Sequence, residues 1–311
     1  MANNRFFQAD IDDRVTGTLV GLATGDALGA PLEFKSRERI RKDYPEPLTE
    51  MTASPLWKKG EFTDDTQMAL ILAESLLCNH RLDSGDVGAR FQRWAETAKD
   101  VGMQTRRVLR RPAYTADPIE SAHRDYLEYP HQSAGNGALM RCAPLALFRL
   151  ESLPLLIECS RRSAAITHGD PKAHGSCVLL NAWIRQIILH QTRDARSEVF
   201  ELLPERERTV WSRWRDIGRY PESQIRSGGY TVDTLEAATW SFLTTSSFEE
   251  AVVCAANLGD DSDTVAAITG ALAGAFYGYS AIPQRWLDEL VSLEYICETA
   301  ISLQRVGREN S

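Results

Sequence analysis

The chain has 311 residues, 43% hydrophobic and 25% charged, proportions that exclude a disordered chain and fit an ordinary globular protein with a sizeable core. A formal net charge of −8 excludes a protein whose overall affinity comes from neutralising phosphates with a basic face, so no nucleic-acid partner is expected. Six cysteines stand singly with no CxxC pair, and the first residues lack the apolar core of a signal peptide, which together point to a cytoplasmic protein with reduced, buried thiols.

Residues 11–28 place Val15, Leu19, Leu22 and Ala23 at helical spacing. Gly17, Gly21, Gly25 and Gly29 weaken that helix by about 1 kcal/mol each relative to alanine, so close helix packing must compensate. Pro31 ends it, leaving Glu33 just beyond its C-terminal end. Residues 35–61 carry Pro45, Pro47 and Pro55 and read as an irregular loop. Thr63-Asp64-Asp65-Thr66 then caps a helix running to Leu77; capping explains one aspartate of that cluster, not both. Residues 87–98 form an amphipathic helix with Phe91 and Trp94 inward. Asp100, which reads as an N-cap, precedes a basic helix holding Arg106, Arg107, Arg110 and Arg111. A second basic group, Arg206, Arg208, Arg213 and Arg215 with Trp211 and Trp214, is diluted by Glu205 and Glu207 and reads, like the first, as a solvated face.

The stretch 131–137 is a glycine-punctuated polar loop that lets backbone amides approach an anion. It feeds an apolar helix over 138–150, whose N-terminus offers a seat for a phosphate. Helices over 154–165 and 173–190 flank His168, which is either a structural imidazole or a site residue. Further helices follow at 231–242, 248–256, 266–277 and 286–306. Strand signals are scarce, so the expected fold class is all-α: one orthogonal multi-helix domain over 1–311, with short flexible ends at about 1–10 and 304–311. The small-residue run 265–279 is too short to span a bilayer, and no membrane partner is expected.

Asp260, Asp261 and Asp263 crowd into four residues, and ionised carboxylates that close repel unless a cation lies between them. Carboxylate and hydroxyl oxygens suit a hard divalent cation. The upstream echo at 63–66 suggests that the two clusters share one site.

Seven segments in order, GDALGAPLEF (25–34), FTDDTQM (62–68), DVGMQTRRVL (100–109), SAGNGALMRCAP (133–144), ITHGDP (166–171), GYTVDTLEAA (229–238) and GDDSDTVAAITGALAGA (259–275), resemble the ADP-ribosylglycohydrolase family. The resemblance implies a helical bundle with two divalent cations, Mg²⁺ or Mn²⁺, at one end of a cleft. It implies Thr63, Asp64, Asp65, Asp261, Asp263 and Thr264 as metal ligands, with Asp263 bridging. Asp100 and Glu33 are the implied catalytic carboxylates. Ser133, Gly135, Asn136, Gly137, His168 and Tyr230 are implied substrate contacts.

The implied activity is hydrolysis of the N-glycosidic bond of ADP-ribosylated arginine on a protein, releasing ADP-ribose, by an enzyme acting as a monomer. The Asp100-Val101-Gly102 element favours the arginine branch. The alternatives are another ADP-ribosyl linkage, serine-linked or in O-acetyl-ADP-ribose, and a catalytically silent ADP-ribose-binding or structural protein. One departure stands out: Asp260 occupies a position where the family commonly has glycine, which implies an aspartate at positive φ beside the ligands.

Overall fold

A computed structural model describes residues 2–310, with side chains from Gln8 onward. Twelve helices frame the site: α1 (Ala2–Gly29), α2 (Asp64–Asn79), α3 (Ser84–Ala95), α4 (Met103–Leu109), α5 (Pro118–Glu128), α6 (Pro144–Phe148), α7 (Leu153–Ala165), α8 (Pro171–His190), α9 (Thr231–Thr244), α10 (Phe248–Ala256), α11 (Ser262–Tyr277) and α12 (Leu293–Glu309). Short helical turns fill several of the connections. Among the described residues there is no β-strand; Gly135 and Tyr230 form an isolated antiparallel bridge. No described helix is long and apolar enough to cross a membrane.

The centre of the bundle is the antiparallel pair α1 and α11, and its glycines explain how the pair packs. A Cβ on Gly21 would lie 2.2 Å from the carbonyl oxygen of Gly270, and one on Gly25 would lie 2.0 Å from that of Ala266. The backbones therefore touch, and dense contact along the seam offsets the poor helix propensity of glycine. The seam ends where Gly29 faces the backbone of Asp263, with Ser262 Oγ donating to the Gly29 carbonyl at 3.0 Å. Glycine spacing on α1 thus fixes the height at which the acidic N-terminus of α11 meets the end of α1.

Helix α2 is tied to the same place by Asp26, a buried acid that the sequence reading did not single out. Its Oδ1 accepts from the Thr63 amide at 2.9 Å, and its Oδ2 accepts from the Thr66 amide at 3.0 Å and hydroxyl at 2.6 Å. Two of the otherwise unpaired N–H groups near the start of α2 are satisfied from α1. Burial pushes the Asp26 carboxyl up to about 6, against the pull of those hydrogen bonds.

Several sequence expectations change. The helix expected over 138–150 is reduced to Pro144–Phe148, because residues 137–141 form turns closed by Arg141, whose Nη1 donates to the Gly137 carbonyl at 2.7 Å. No long helix starts at the polar loop, so the helix N-terminal phosphate seat expected there does not form. The 286–306 helix is interrupted: a separate short helix, Gln284–Leu287, precedes α12, with Ser292 in the left-handed region between them. The 35–61 loop holds a short helix, Arg37–Asp43, capped by Ser36. Helix also runs into both stretches read as flexible ends, although Met1 and Ser311 lie outside the described residues.

Cys142, Cys159 and Cys177 are buried as expected, but Cys78 is exposed. The basic groups are largely paired: Arg107 and Arg111 meet Asp125, Arg208 meets Glu201 and Arg213 meets Glu236, while Trp211 and Trp214 are core residues.

Candidate metal centre and substrate cleft

Three backbone segments converge at the end of the α1–α11 seam. The first is the turn after α1. Phe34 adopts φ +62, its amide donating to the Asp260 carbonyl at 2.7 Å, while the Asp260 amide donates back to Lys35 at 2.8 Å. This reciprocal pair holds Glu33 beside the aspartates of the third segment. The second is the start of α2. The third is Gly259-Asp260-Asp261, where Gly259 and Asp260 have φ +78 and +56. A Cβ at Gly259 would lie 2.6 Å from the Lys35 carbonyl oxygen, so glycine is needed there for space as well as for φ. Asp260 tolerates positive φ, as the departure from the family pattern implied; it is exposed and its carboxylate accepts from Ser227 Oγ at 3.3 Å.

Carboxylate oxygens of Glu33, Asp261 and Asp263 all lie within 4.8 Å of one another. Asp64 and Asp65 join them from α2, and Asp100 borders the same cleft. Burial, and then the neighbouring acids Asp261, Asp100, Asp64 and Asp26, push Glu33 up to about 8. Burial and then Asp100 push Asp64 up to about 8. Asp65 and Asp263 are raised well above the usual carboxylate range, chiefly by burial, and Asp261 is raised for the same reason. Among the described residues none of these five acids is held in a salt bridge, and Asp65 Oδ1 is buried without a hydrogen-bond partner. Crowded hard oxygens with an orphaned acceptor fit a divalent cation, which would replace protons. Thr264 is buried at the same point, its side chain in hydrogen-bonding reach of Asp65 and Asp261. Thr63 is the N-cap of α2; its hydroxyl donates to Asp65 Oδ2 at 3.2 Å.

The cleft has a volume of about 730 Å³, ample for a nucleotide-sized ligand. Residues 134–137 form one of its walls, stitched to the start of α9 by hydrogen bonds from the Asn136 amide to Gly229 and from the Thr231 amide to Ala134. Gln104 on α4 holds this loop too: its Nε2 donates to the Ser133 carbonyl at 2.9 Å, and its Oε1 accepts from the Gly135 amide at 3.0 Å. Gly135, Asn136, Gly137, His168 and Tyr230 all line the cleft.

Two of the expected substrate contacts have other partners. Ser133 is buried, its hydroxyl donates to the Tyr129 carbonyl at 2.7 Å, and it does not line the cleft. Asn136 does line it, but its amide donates to Asp261 Oδ2 at 2.8 Å and to Thr234 Oγ1 at 3.1 Å, so it orients a candidate metal ligand.

His168 is buried with its Nδ1 2.8 Å from Thr167 Oγ1, which accepts from Arg141 Nη2 at 2.7 Å. Burial, then Arg141, hold its pKa well below the usual imidazole range. Its Nε2 edge lies against Gly135 and Gly137. Asp26, Gln104, Arg141 and Thr167 are the supporting residues that motif reading missed. The one sequence signal for Asp26 was an acid inside a glycine-lined apolar helix.

A family model described as ADP-ribosylglycohydrolase matches residues 8–310. The chain is 37% identical over 305 residues to an ADP-ribosylarginine hydrolase of Serratia proteamaculans, covering 94% of this chain and 79% of that protein. It is 34% identical over 284 residues to the ADP-ribosyl dinitrogen reductase glycohydrolase of Rhodospirillum rubrum, covering 90% and 91% of the two chains. A solved structure titled as an ADP-ribosylglycohydrolase-related protein complex superposes with a TM-score of 0.84 at 36% identity, covering 96% of this chain and 99% of that one. With the all-α bundle and its acidic cleft, these matches establish that the chain belongs to the ADP-ribosylglycohydrolase family.

Proposed function

We propose that this protein is a metal-dependent glycohydrolase that cleaves the N-glycosidic bond joining ADP-ribose to an arginine side chain of a modified protein. The observation that carries the reading is the polarity of the cleft. Glu33, Asp64, Asp65, Asp100, Asp261 and Asp263 gather around one region, while the cleft is also lined by His168 and by two cations, Arg107, which pairs with Asp125, and Lys172, which pairs with Asp170. An ADP-ribosylated arginine has the matching polarity, an anionic diphosphate on one side of the scissile bond and a cationic guanidinium on the other. The name of the Serratia proteamaculans relative supports the arginine linkage.

Asp64, Asp65, Asp261, Asp263 and Thr264, with Thr63 at the cap of α2, would hold two divalent cations, Mg²⁺ or Mn²⁺, and Glu33 is close enough to share in that role. Bound there, such cations would lower the pKa of the attacking water and hold the substrate in place. The chain's own groups do the rest. Asp100 is fixed by its Oδ1, which accepts from the Val101 amide at 2.8 Å. Asp100 and Glu33 take the proton that the attacking water gives up as the C–O bond forms and return it to the guanidine nitrogen that departs as the C–N bond breaks, and their charge lies against the oxocarbenium-like carbon between the two events. The Gly135–Gly137 backbone and His168 contact the diphosphate or distal ribose, and Tyr230 packs on the nucleoside. The proposal includes a single domain acting as a cytoplasmic monomer.

Purified protein incubated with arginine-linked, serine-linked and O-acetyl ADP-ribose, with Mg²⁺, with Mn²⁺ and after chelation, tests it. Release from the arginine conjugate alone is expected. Release only from another linkage would replace this reading, and release from none would favour a silent binding protein.

A further inference from the structure

Among the exposed large apolar side chains of the described residues, Phe34 and Met103 are the two most exposed, at 83% and 89%. Both line the cleft rather than some remote surface. Each is tied to an acid of the site: Phe34 follows Glu33 directly, and Met103 begins α4 three residues after Asp100. Phe34 is also in the left-handed region, at φ +62, which bulky side chains rarely adopt. A phenyl group held open to water on a strained residue contributes little to folding. Such strain clusters where a ligand is gripped.

The surroundings select the occupant. The acids beside these two side chains favour a cation, and the phenyl and thioether favour methylene groups. An arginine side chain combines both: a guanidinium on a three-carbon apolar stem. A serine conjugate offers neither the charge nor the stem.

We infer that Phe34 and Met103 form an apolar clamp on the methylene stem of the modified arginine, selecting the protein side of the substrate at the acid-lined mouth of the cleft. This inference rests on the arginine reading above and specifies how it is achieved.

The test compares ADP-ribosylarginine with ADP-ribosylguanidine, which keeps the scissile bond and the guanidinium but lacks the stem. The wild-type protein is expected to prefer the arginine conjugate in kcat/KM by about tenfold, the scale on which a partly buried apolar stem discriminates. In Phe34→Ala, Met103→Ala and the double variant that ratio should fall stepwise towards one, through KM for the arginine conjugate. Phe34→Gly, which adopts φ +62 without strain, should show the same loss of preference and so separates loss of the ring from a displaced Glu33. A ratio that stays at its wild-type value in the double variant overturns the inference alone, as does a wild-type protein without the preference. Cleavage of neither conjugate by the wild type overturns the functional reading and the clamp with it.

Discussion

Gly25→Ala isolates the seam that sets the height of the candidate metal ligands. The added Cβ would lie 2.0 Å from the Ala266 carbonyl oxygen and 2.5 Å from its carbon, both backbone atoms that cannot rotate away. Ordinary contact begins near 3.4 Å, so the helices must separate locally by on the order of 1 Å. Overpacking of this kind costs about 3 kcal/mol, and the better helix propensity of alanine returns about 1 kcal/mol, leaving a net loss of about 2 kcal/mol. For a chain of this length that is a fall in Tm of about 3 °C. The functional effect should be larger than the thermal one, because α11 carries Asp261, Asp263 and Thr264 at its N-terminus and a 1 Å misplacement can cost about a hundredfold in rate. Differential scanning fluorimetry and Mg²⁺ titration calorimetry measure the two effects. Gly228→Ala is the control, since its Cβ would meet nothing within 4 Å. Wild-type Tm and Mg²⁺ affinity in Gly25→Ala would refute the seam as the element that positions the site.

Asn136→Ala removes the amide that donates to Asp261 Oδ2 and should weaken Mg²⁺ binding by about tenfold to a hundredfold, read by calorimetry; unchanged affinity would assign Asn136 to the substrate alone. Asp263→Asn should abolish the Mg²⁺-induced rise in Tm while leaving the metal-free protein no less stable at about pH 8, because one crowded, buried carboxylate is gone. The raised pKa values also fix a pH dependence. Glu33 and Asp64 rise from 4.5 and 3.8 to about 8, so the folded state binds more protons than the unfolded chain between those limits. Their contribution to metal-free stability is fully present below about pH 4 and is lost as pH rises through about 8. A divalent cation replaces those protons, so the Tm gain from Mg²⁺ should grow between about pH 6 and about pH 8; a pH-independent gain would contradict this.

The parts of this molecule that follow local rules were readable from the sequence. The glycines of α1 required a close neighbour, and α11 supplies it. The match between Asp261 and Asp263 and their upstream echo Asp64 and Asp65 suggested one shared site, and the fold brings the two clusters together. What was not readable depends on partners distant in sequence. Ser133 and Asn136 sit in the same short loop, yet the first turns to Tyr129 and the second to Asp261, 125 residues away. The apolar pattern after Gly137 suggested a long helix, but Arg141 turns inward to close the chain on Gly137 and reach Thr167, a contact no periodicity reports. Asp26 belongs to the same class, since its partners are amides at the start of another helix.

The most direct measurement is release of ADP-ribose from an arginine-ADP-ribosylated protein by the wild type and by Asp263→Asn, with Mg²⁺ and after chelation. The expected result is release by the wild type with Mg²⁺, its loss on chelation with recovery when the cation is restored, and none from Asp263→Asn under either condition. Release that survives both chelation and Asp263→Asn would contradict a metal centre at the acidic end of the cleft.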